Sequence, residues 1–516
     1  MRRALKGGLA LVVAMLAAAC ATLPPPGERT VSHAIEPDSR TRLGTAVGPL
    51  AAAHPGKSGI HALPIAPDAF AARVLLAMAA DRTIDAQYYI WHADDTGVLL
   101  LDSLRQAASR GVRVRLLVDD QNTRGAEPLL ATLAAQPHVE VRLYNPFANR
   151  SLRALGYLGD FARLNRRMHN KSFTADNLAT IVGGRNIGNE YFGAATEVPF
   201  KDLDVIAIGA AVPEVSAQFD LYWNSASAYP FASVASVAPD LAAFDEHVAA
   251  VRASGEAQAY LAAVRDTPLI RNLLASDLEL EWAEAHVVRD DPAKTLDHEP
   301  RAELLLLPQL AKGDGRPRRS FDLISPYFVP GERGTAFLAG LARDGVRVRV
   351  LTNSLAATDV SVVHSGYAKR RCELARAGVR LYELRARPAS PDAARKDDDG
   401  HGSGSSAASL HAKTFAADEA RIFVGSFNFD PRSALLNTEM GLVIESPVLA
   451  GRLARVFDEG IPAMAYEVRS RNGEACVTWV ERTAGGEVVH ETEPDASWLR
   501  RAWLSVLMAL PLDWML

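Results

Sequence analysis

Two short stretches of this chain carry the same chemically capable residues at the same spacing. The first begins with His169 and Lys171, and the second begins with His411 and Lys413, 242 positions further along. Imidazole serves as a nucleophile or as a general acid near neutral pH, and lysine ammonium groups offset negative charge. Together these residues suit the cleavage of a phosphodiester, which needs a nucleophile, a proton donor and positive charge on the phosphate oxygens.

The match between the two stretches extends beyond the histidine and the lysine. The first continues with Asp176, Gly183, Gly184 and Asn186, and the second continues with Asp418, Gly425, Ser426 and Asn428. Each asparagine follows a small-residue turn where the backbone approaches closely, so its amide can donate to the same oxygens. One chance match of six specified positions has a probability on the order of 10⁻⁵ in a chain of this length.

The elements that position these residues are predicted to be central strands. The segments HNKSFTAD and HAKTFAAD are strand-like, and residues i and i+2 of a strand point to one face. His169 and Lys171 therefore share a face, as do His411 and Lys413. A pseudo-twofold axis that places the two strands side by side would gather all four side chains around one phosphate.

Other segments repeat in the same order. A strand, a helix and a second strand are predicted over 83–118, and again over 320–351. The run Gly-Val-Arg-Val-Arg occurs at 111–115 and at 345–349, and Val-Arg-Leu-Tyr occurs at 141–144 and at 379–382. Strands that alternate with helices at this spacing indicate a duplicated α/β fold.

The paired stretches resemble the HxKxxxxD signatures of the phospholipase D superfamily, and both copies are complete. Further segments resemble the bacterial branch of cardiolipin synthase C-like proteins, among them RRMHNKSF, GGRNIGNEYFG, ISPYFVPGERG, DDPAK and the closing LPLDWML. The resemblance covers most of the chain. It implies two α-β-α sandwich halves with mixed central sheets, related by a pseudo-twofold axis and sharing one active site.

The resemblance also implies a two-step displacement. One histidine attacks phosphorus to form a phosphohistidine, and the other protonates the departing alcohol and then deprotonates the acceptor. Family precedent favours His169 as the nucleophile and His411 as the acid and base, although the sequence by itself leaves the two equivalent. No metal and no cofactor are implied, because the lysines supply the positive charge.

A nucleophilic histidine needs an acceptor that fixes its second nitrogen. Glu439 resembles the family's orienting carboxylate, and the matching segment of the first half places Asp202 in that role, with Glu190 as its rival. The family's use of Asp176 and Asp418 is mainly structural. His92, His364 and Tyr367 are weaker candidates for contacts with substrate.

The N-terminus resembles the export signal of a bacterial lipoprotein. Arg2, Arg3 and Lys6 precede a short apolar run, and a triplet of alanines ends at Cys20, which would be lipidated. Loss of the signal takes the net charge from −5 to −8. The absence of a broad basic surface argues against nucleic-acid binding.

The remaining two cysteines would occupy an oxidising compartment. Cys372 falls in a helix-like stretch and Cys476 in a strand-like one. Buried free thiols are the simpler expectation, and the sequence leaves pairing open. The C-terminal segment 498–516 is apolar and rich in tryptophan, and we expect it either to pack on the body or to rest at a membrane interface.

These expectations divide the chain into six segments. They are a signal peptide at 1–19, a lipidated tether at 20–55, a first phospholipase D-like half at 56–230, a helical connector at 231–300, a second half at 301–465 and a C-terminal segment at 466–516.

The function expected from the resemblance is phosphatidyl transfer that makes cardiolipin from phosphatidylglycerol and a second phospholipid. The second phospholipid is phosphatidylglycerol or phosphatidylethanolamine. The alternatives are a phospholipase D hydrolase that releases phosphatidic acid, a nuclease or other phosphodiesterase, and a non-catalytic envelope scaffold. We expect a lipid-anchored protein that faces the periplasm. The choice between inner and outer membrane, the oligomeric state and any protein partner are left open.

Overall fold

The computed structural model describes residues 29–194, 200–275, 277–297, 301–312, 316–386, 409–471 and 476–510, together with Leu23 and Pro25. The predicted signal peptide and Cys20 lie outside the described residues, as does 511–516 of the C-terminal segment.

The first half begins with a helix and then builds a mixed sheet. Its strands are β1 (Ser58–Leu63), β2 (Thr83–Ile90), β3 (Arg113–Asn122), β4 (Val139–Tyr144), β5 (Ser172–Ala175), β6 (Ala179–Gly183), β7 (Asp204–Gly209) and β8 (Ala228–Pro230). Its helices are α1 (Arg42–Ala52), α2 (Ala66–Ala79), α3 (Asp95–Ser109), α4 (Glu127–Ala134), α5 (Arg153–Leu164), α6 (Asn189–Phe192) and α7 (Ala211–Trp223). The strand order is β8-β4-β3-β2-β5-β6-β7-β1, and β2, β3 and β4 run parallel.

The second half repeats this plan. Its strands are β9 (Glu281–Arg289), β10 (Ser320–Ile324), β11 (Arg347–Asn353), β12 (Arg380–Leu384), β13 (Thr414–Ala417), β14 (Arg421–Gly425), β15 (Met440–Glu445), β16 (Ala465–Ser470), β17 (Val477–Thr483) and β18 (Gly486–His490). The strand order is β9-β15-β14-β13-β10-β11-β12-β16-β17-β18, with β10, β11 and β12 parallel. The expected duplicated α/β fold with mixed sheets is therefore present.

The segment between the halves is helical only in its first part. Helices α8 (Phe231–Val234), α9 (Leu241–Ala253), α10 (Gly255–Arg265) and α11 (Pro268–Leu274) precede β9. Buried residues of α9 and α10 join the hydrophobic core of the first half. In β9 buried and exposed residues alternate around Ala283 and Ala285, which is the period of a strand. The segment 281–289 was expected to be helical and is instead a strand of the second half.

Strand β9 also links the two sheets. It pairs with β1 through Glu281, Trp282 and Ala283, and with β15 through 284–289. A hydrophobic cluster between the halves includes Val182 of the first and Val424 of the second. The halves are thus joined by a shared strand and a shared core.

The repeated Gly-Val-Arg-Val-Arg run has a structural explanation. Arg115 and Arg349 are each about 1% exposed, and each forms a buried ion pair with an aspartate on the adjacent parallel strand. Arg115 contacts Asp85 at 2.7 Å, and Arg349 contacts Asp322 at 2.6 Å. An unpaired charge would be costly at these positions, so the duplication retained both partners.

The remaining helices of the second half are α12 (Leu306–Lys312), α13 (Gly331–Arg343), α14 (Ser361–Arg376), α15 (Pro431–Leu435), α16 (Pro447–Arg455), α17 (Ile461–Met464) and α18 (Trp498–Ala509). The expectation of free thiols is wrong, because Cys372 of α14 is disulfide-bonded to Cys476 beside β17, with Cα atoms 5.8 Å apart. Helix α18 buries Leu504 and Leu507, and Lys369 of α14 donates to its C-terminal carbonyl. Among the described helices, none has the length and apolar character needed to cross a bilayer.

Candidate active site

The two histidine-lysine segments meet across the interface between the halves. The amide of His169 donates to the carbonyl of Thr438 at 2.9 Å, and the amide of His411 donates to the carbonyl of Lys201 at 2.8 Å. Each segment therefore pairs with the backbone just before an acidic residue of the opposite half. These two pairings bring the histidine-lysine segments together, as the repeat predicted.

Each histidine is oriented by a carboxylate from the other half. Nδ1 of His169 lies 2.8 Å from Oε2 of Glu439, and Nδ1 of His411 lies 2.5 Å from Oδ2 of Asp202. Both carboxylates are nearly inaccessible to solvent. The crossed arrangement leaves the Nε2 atom of each ring for chemistry, which is the geometry that a nucleophile and a proton donor need.

The rival acceptor Glu190 lies elsewhere. Its carboxylate is 3.9 Å from Nε2 of His92, whose side chain is 45% exposed. Neither of these residues contacts His169 or His411 in the described hydrogen bonds. Asp202 is thus the first-half carboxylate that the geometry selects.

The two lysines lie beneath the histidines. Nζ of Lys171 donates to the carbonyl of His169 at 2.6 Å, and Nζ of Lys413 makes the equivalent bond to His411. Burial lowers the pKa of Lys413 to about 8, and it lowers the pKa of Lys171 well below its ordinary value. Each lysine amine therefore lies against the backbone of the histidine in its own motif.

Burial and the lysines also keep the histidines neutral. Burial, with help from Lys413, lowers the pKa of His411 to about 4. The pKa of His169 falls well below its usual value for the same reasons. Neutral imidazole is the form that acts as a nucleophile, so the free site is prepared for attack on phosphorus.

The two orienting carboxylates differ in ionisation. Burial raises the pKa of Glu439 to about 7, although Lys171 opposes this. Burial also acts on Asp202, but His411 and Lys413 hold the pKa of this carboxyl well below its ordinary value. Asp202 is therefore a permanent anion at neutral pH, whereas Glu439 is near its titration point.

The two motif asparagines follow the strands that neighbour the histidine strands. Oδ1 of Asn186 accepts from the amide of Ile90 at 3.2 Å. Asn428 is 4% exposed, and its Oδ1 atom has no hydrogen-bond partner among the described residues.

The small motif residues allow close approach. A Cβ atom on Gly183 would lie 2.1 Å from a carboxylate oxygen of Asp204, and one on Gly184 would lie 2.2 Å from Oδ1 of Asp202. A Cβ atom on Gly425 would lie 2.3 Å from the carbonyl of Met440. The hydroxyl of Ser426 donates to Oε2 of Glu439 at 2.5 Å. These positions determine how near the carboxylate strands come.

The motif aspartates are remote from the histidines and organise turns. The carboxylate of Asp176 accepts from the amides of Asp81, Arg82 and Thr83. The carboxylate of Asp418 accepts from the amides of Arg318, Arg319 and Ser320. Both aspartates have a positive φ.

His364 and Tyr367 lie in a buried charge cluster of the second half. Nε2 of His364 is 3.7 Å from Glu493, and the hydroxyl of Tyr367 donates to Glu383 at 3.1 Å. Arg371 forms ion pairs with both glutamates. The contacts of His364 and Tyr367 are internal, which does not favour the expected contact with a lipid headgroup.

Two groups of described residues have enough close ligand atoms for a metal ion, and neither is well suited to one. In the first, His92 and Glu190 are joined by Asp94, whose oxygens already cap helix α3 and bind the amide of Asn189. In the second, Arg371 already supplies positive charge to Glu383 and Glu493.

Sequence reasoning missed the residues that support Glu439. The backbone amide of Glu439 donates to Asp290 at 2.8 Å, and Asp290 forms an ion pair with Lys294 at 3.0 Å. Lys294 also donates to the carbonyl of Ser433 at 2.9 Å. The segment DDPAK was the available signal, because it combines a buried aspartate and lysine four residues apart.

Aromatic rings enclose the histidines and were also missed. The ring of Tyr89 lies edge-on to His169 with centroids 5.0 Å apart. Tyr191 makes the same contact with His411 at 5.1 Å, and Phe200 stacks on His411 at 5.6 Å. These rings cover part of each imidazole, and the side chain is 9% exposed at His169 and 16% exposed at His411.

The chain is similar to known proteins over nearly its whole length. A family model described as cardiolipin synthase, PLD-like domain, matches residues 74–223 and 315–461. Cardiolipin synthase C of Escherichia coli (strain K12) is 46% identical over 477 residues, which is 92% of this chain and 100% of that protein. An uncharacterized protein of Helicobacter pylori (strain J99) is 30% identical over 452 residues, covering 85% of this chain and 86% of that one.

A solved structure shares the fold. The crystal structure of phosphatidylserine synthase from Haemophilus influenzae Rd KW20 superposes with a TM-score of 0.53 at 15% identity. The superposition covers 79% of this chain and 87% of that one.

Proposed function

This chain belongs to the family of phospholipase D-like cardiolipin synthases, and on that premise we propose that it transfers a phosphatidyl group between lipids. The donor is phosphatidylglycerol or phosphatidylethanolamine, the acceptor is a hydroxyl of phosphatidylglycerol, and the product is cardiolipin. The observation that carries the proposal is the buried pair of histidines, each bound to a carboxylate of the opposite half above two lysines.

The first step forms a phosphohistidine. Nε2 of His169 attacks phosphorus, the bond between phosphorus and the departing oxygen breaks, and His411 donates its proton to that oxygen. Glycerol or ethanolamine leaves. Asp202 favours His411 as the acid, because an ionised carboxylate at 2.5 Å stabilises a protonated imidazole when an anionic phosphate binds.

The second step returns the enzyme to its starting form. His411 takes the proton from a hydroxyl of phosphatidylglycerol, that oxygen attacks phosphorus, and the bond to His169 breaks. Lys171, Lys413, Asn186 and Asn428 surround the phosphate oxygens and stabilise charge in both transition states. Asp176 and Asp418 have no direct part in the chemistry.

Transfer to a lipid is favoured over hydrolysis. His169 is only 7% exposed, and Tyr89, Tyr191 and Phe200 pack against the two imidazoles. An enclosed apolar surround reduces the chance that water reaches the phosphohistidine before a lipid alcohol does. Release of phosphatidic acid remains the alternative outcome of the same intermediate.

The chain would work at a membrane surface. Helix α18 presents an exposed face that includes Trp498, Leu499 and Trp503, which are 69%, 61% and 55% exposed. Arg500 of the same helix donates to the carbonyls of Ala356 and Thr358, which holds the helix against the body. Tryptophan and leucine at one surface suit insertion into a lipid headgroup layer.

The location we propose is the periplasmic side of a bacterial envelope membrane, with Cys20 as the lipid-bearing residue. The disulfide between Cys372 and Cys476 supports an oxidising compartment.

The test is a product analysis. The purified protein is incubated with vesicles of phosphatidylglycerol and phosphatidylethanolamine, beside His169→Ala and an exposed control, His247→Ala. We expect cardiolipin with glycerol or ethanolamine from the wild type and the control, and none from His169→Ala. Phosphatidic acid as the sole product would establish hydrolysis, and no turnover by folded protein would contradict both.

The identity of the nucleophile has its own measurement. Mass spectrometry of protein quenched during turnover should find the acid-labile phosphatidyl adduct on the peptide that contains His169. An adduct on the peptide that contains His411 would reverse the assignment.

A further inference from the structure

The second half contains a large apolar cavity that the proposed chemistry does not use. Its volume is about 640 Å³, within the range of small-molecule sites. The walls are the sheet formed by β10, β13, β14, β15 and β9, together with helices α12 and α13. Six phenylalanines line it: Phe321, Phe337, Phe415, Phe423, Phe427 and Phe429.

The cavity lies on the same sheet face as the catalytic side chains. Phe415 follows Lys413 by two positions along its strand, and Val443 follows Glu439 by four, so each pair projects to one side. Phe427 and Phe429 flank Asn428. The apolar lining therefore starts two residues beyond Lys413 along the same strand.

The corresponding face of the first half is packed solid. Phe173 pairs with Ile181, and Ile181 with Ile206, in the register that Phe415, Phe423 and Val443 follow in the second half. Phe173 and Ile181 belong to a hydrophobic core that includes buried residues of the fourteen-residue helix α2, and the half-buried Ile206 packs against it.

The described part of the matching helix in the second half is shorter. Helix α12, which occupies the position of α2 between its two strands, has seven residues. In the first half Arg73 of α2 forms an ion pair with Asp204. The second half cannot form the equivalent pair, because Gly441 occupies the position that corresponds to Asp204. The ring of Phe423 lies over Gly441 instead, where a Cβ atom would be 2.3 Å away.

The cavity reaches solvent, and its rim carries charges of both signs, because Glu445 also lines it and Arg316 forms an ion pair with Asp344 at 2.9 Å. Leu307 and Phe337 are each 38% exposed. Arg333 is exposed beside them, and Arg316 also lines the cavity. A mostly apolar interior of this size is complementary to a hydrocarbon chain.

We propose that this cavity holds one acyl chain of the phospholipid whose phosphate lies between His169 and His411. The inference rests on the proposed function, because it supplies the substrate with a second point of attachment. An unfilled cavity of this size in a core would reduce the stability of the fold, whereas an alkyl chain would restore the missing contacts. Binding of the chain would also place the phosphodiester within reach of Nε2 of His169.

The first test narrows the cavity. In Val443→Phe a ring replaces a half-buried side chain on the cavity wall, and Val489→Phe makes the same change on the exposed strand β18. We expect Val443→Phe to lower kcat/KM for dioleoyl phosphatidylglycerol by at least roughly tenfold and to leave the short-chain dihexanoyl lipid within about twofold. Val489→Phe should change neither. An equal effect on both lipids, or no effect, would overturn the proposal.

A second variant tests whether the effect comes from the cavity and not from misfolding of one substituted protein. Leu310→Trp approaches the cavity from helix α12 rather than from the sheet, and it should produce the same dependence on chain length. Thermal unfolding of each variant is measured in parallel, so that a loss of folded protein is recognised.

The second test does not depend on turnover. Phosphatidylglycerol with a diazirine at the end of one acyl chain is photolysed with His169→Ala, and the cross-linked peptides are identified by mass spectrometry. Adducts on the peptides that contain Leu310 or Phe337 are expected. Adducts confined to other surfaces would overturn the cavity assignment even if cardiolipin is formed. Adducts at the cavity without any lipid turnover by the wild type would contradict the proposed function alone.

Discussion

At the scale of single residues, the site is symmetric in composition and asymmetric in charge. Asp202 stays ionised because His411 and Lys413 stabilise its anion, whereas burial brings the pKa of Glu439 to about 7. This difference supports the proposal that His411 is the proton donor and His169 the nucleophile. It also makes specific predictions about pH dependence.

The alkaline limb of activity should report the lysines. The pKa of Lys413 is about 8, and above this pH the side chain loses the charge that stabilises phosphate. We expect kcat/KM to fall as the pH rises through 8. In Lys413→Arg the guanidinium keeps its charge, so the fall should become shallower even though the absolute rate is lower. A variant profile parallel to that of the wild type would contradict this assignment.

The acid limb should report Glu439. Its pKa is raised, so the anionic form that pairs with His169 is present above about pH 7 and is lost as the pH falls. The Ser426 hydroxyl donates to Glu439 and so lowers the pKa of this carboxyl. Ser426→Gly removes the hydroxyl and should raise that pKa, which moves the acid limb to higher pH. The expected loss of kcat/KM is roughly tenfold below neutral pH, the effect of one hydrogen bond to a charged group.

The same variant contains its own control. A tenfold loss corresponds to a rise of about one unit in the pKa of Glu439, so the two rates should converge only above about pH 9, where Glu439 is ionised in both proteins. A loss of equal size at every pH would mean that Ser426 acts only on packing.

At the scale of elements, the carboxylate strands must approach the turns after β6 and β14 very closely. Gly184 permits the approach of Asp202, and Ser426 occupies the equivalent position beside Glu439 and adds a hydrogen bond. The two halves thus allow the same close approach with different residues. The residue present affects the carboxylate, because Ser426 donates to Glu439 and lowers its pKa.

Gly184→Ala should therefore disable the proton donor. Its Cβ atom would lie 2.2 Å from Oδ1 of Asp202, so the carboxylate must move and His411 loses its orientation. We expect kcat to fall about 100-fold, the size of effect that a displacement of roughly 1 Å produces. The control is Gly255→Ala, where nothing lies within 4 Å of the new atom.

A change of leaving group distinguishes positioning from general damage. In a phosphatidyl ester of p-nitrophenol the leaving group is p-nitrophenolate, which departs as an anion and needs no proton from His411. With this substrate the first step of Gly184→Ala should therefore approach the wild-type rate. An undiminished defect would show that Gly184 serves only the fold.

At the scale of the whole molecule, one active site is assembled from two halves that could not form it separately. Each contributes a histidine and the carboxylate for the other, and β9 pairs with strands of both sheets. The duplicated halves have diverged where the function is asymmetric: the first packs its sheet face under α2, and the second keeps an apolar cavity there.

Helix α18 predicts how the molecule meets its lipid. The double variant Leu499→Ser and Trp503→Ser removes exposed apolar groups without touching Leu504 or Leu507, which hold the helix to the body. Cosedimentation with vesicles of phosphatidylglycerol should weaken by about tenfold, the effect of losing more than 1 kcal/mol of apolar burial. Activity towards the monomeric dihexanoyl lipid should be unchanged.

The matched control for that variant is Val489→Ser, an exposed apolar residue on β18. If Leu499→Ser and Trp503→Ser leave vesicle binding at the wild-type level, helix α18 is not the surface that contacts lipid.

The sequence by itself determined the fold class and identified the residues that we propose react. The spacing of His169, Lys171 and Asn186 and its repetition are local properties of strands and turns, so they survive without knowledge of the tertiary structure. Asp202 and Glu439 were also identified in the sequence, through their position in matching segments.

Only the tertiary structure decided which groups meet. The pairing of His169 with Glu439 spans 270 residues and crosses between halves, and no local pattern encodes that crossing. The support from Asp290 and Lys294, the disulfide of Cys372 and the cavity beside Phe415 are likewise products of packing. Each depends on distances between distant segments, which are set when two sheets share a core and not by the order of residues along one strand.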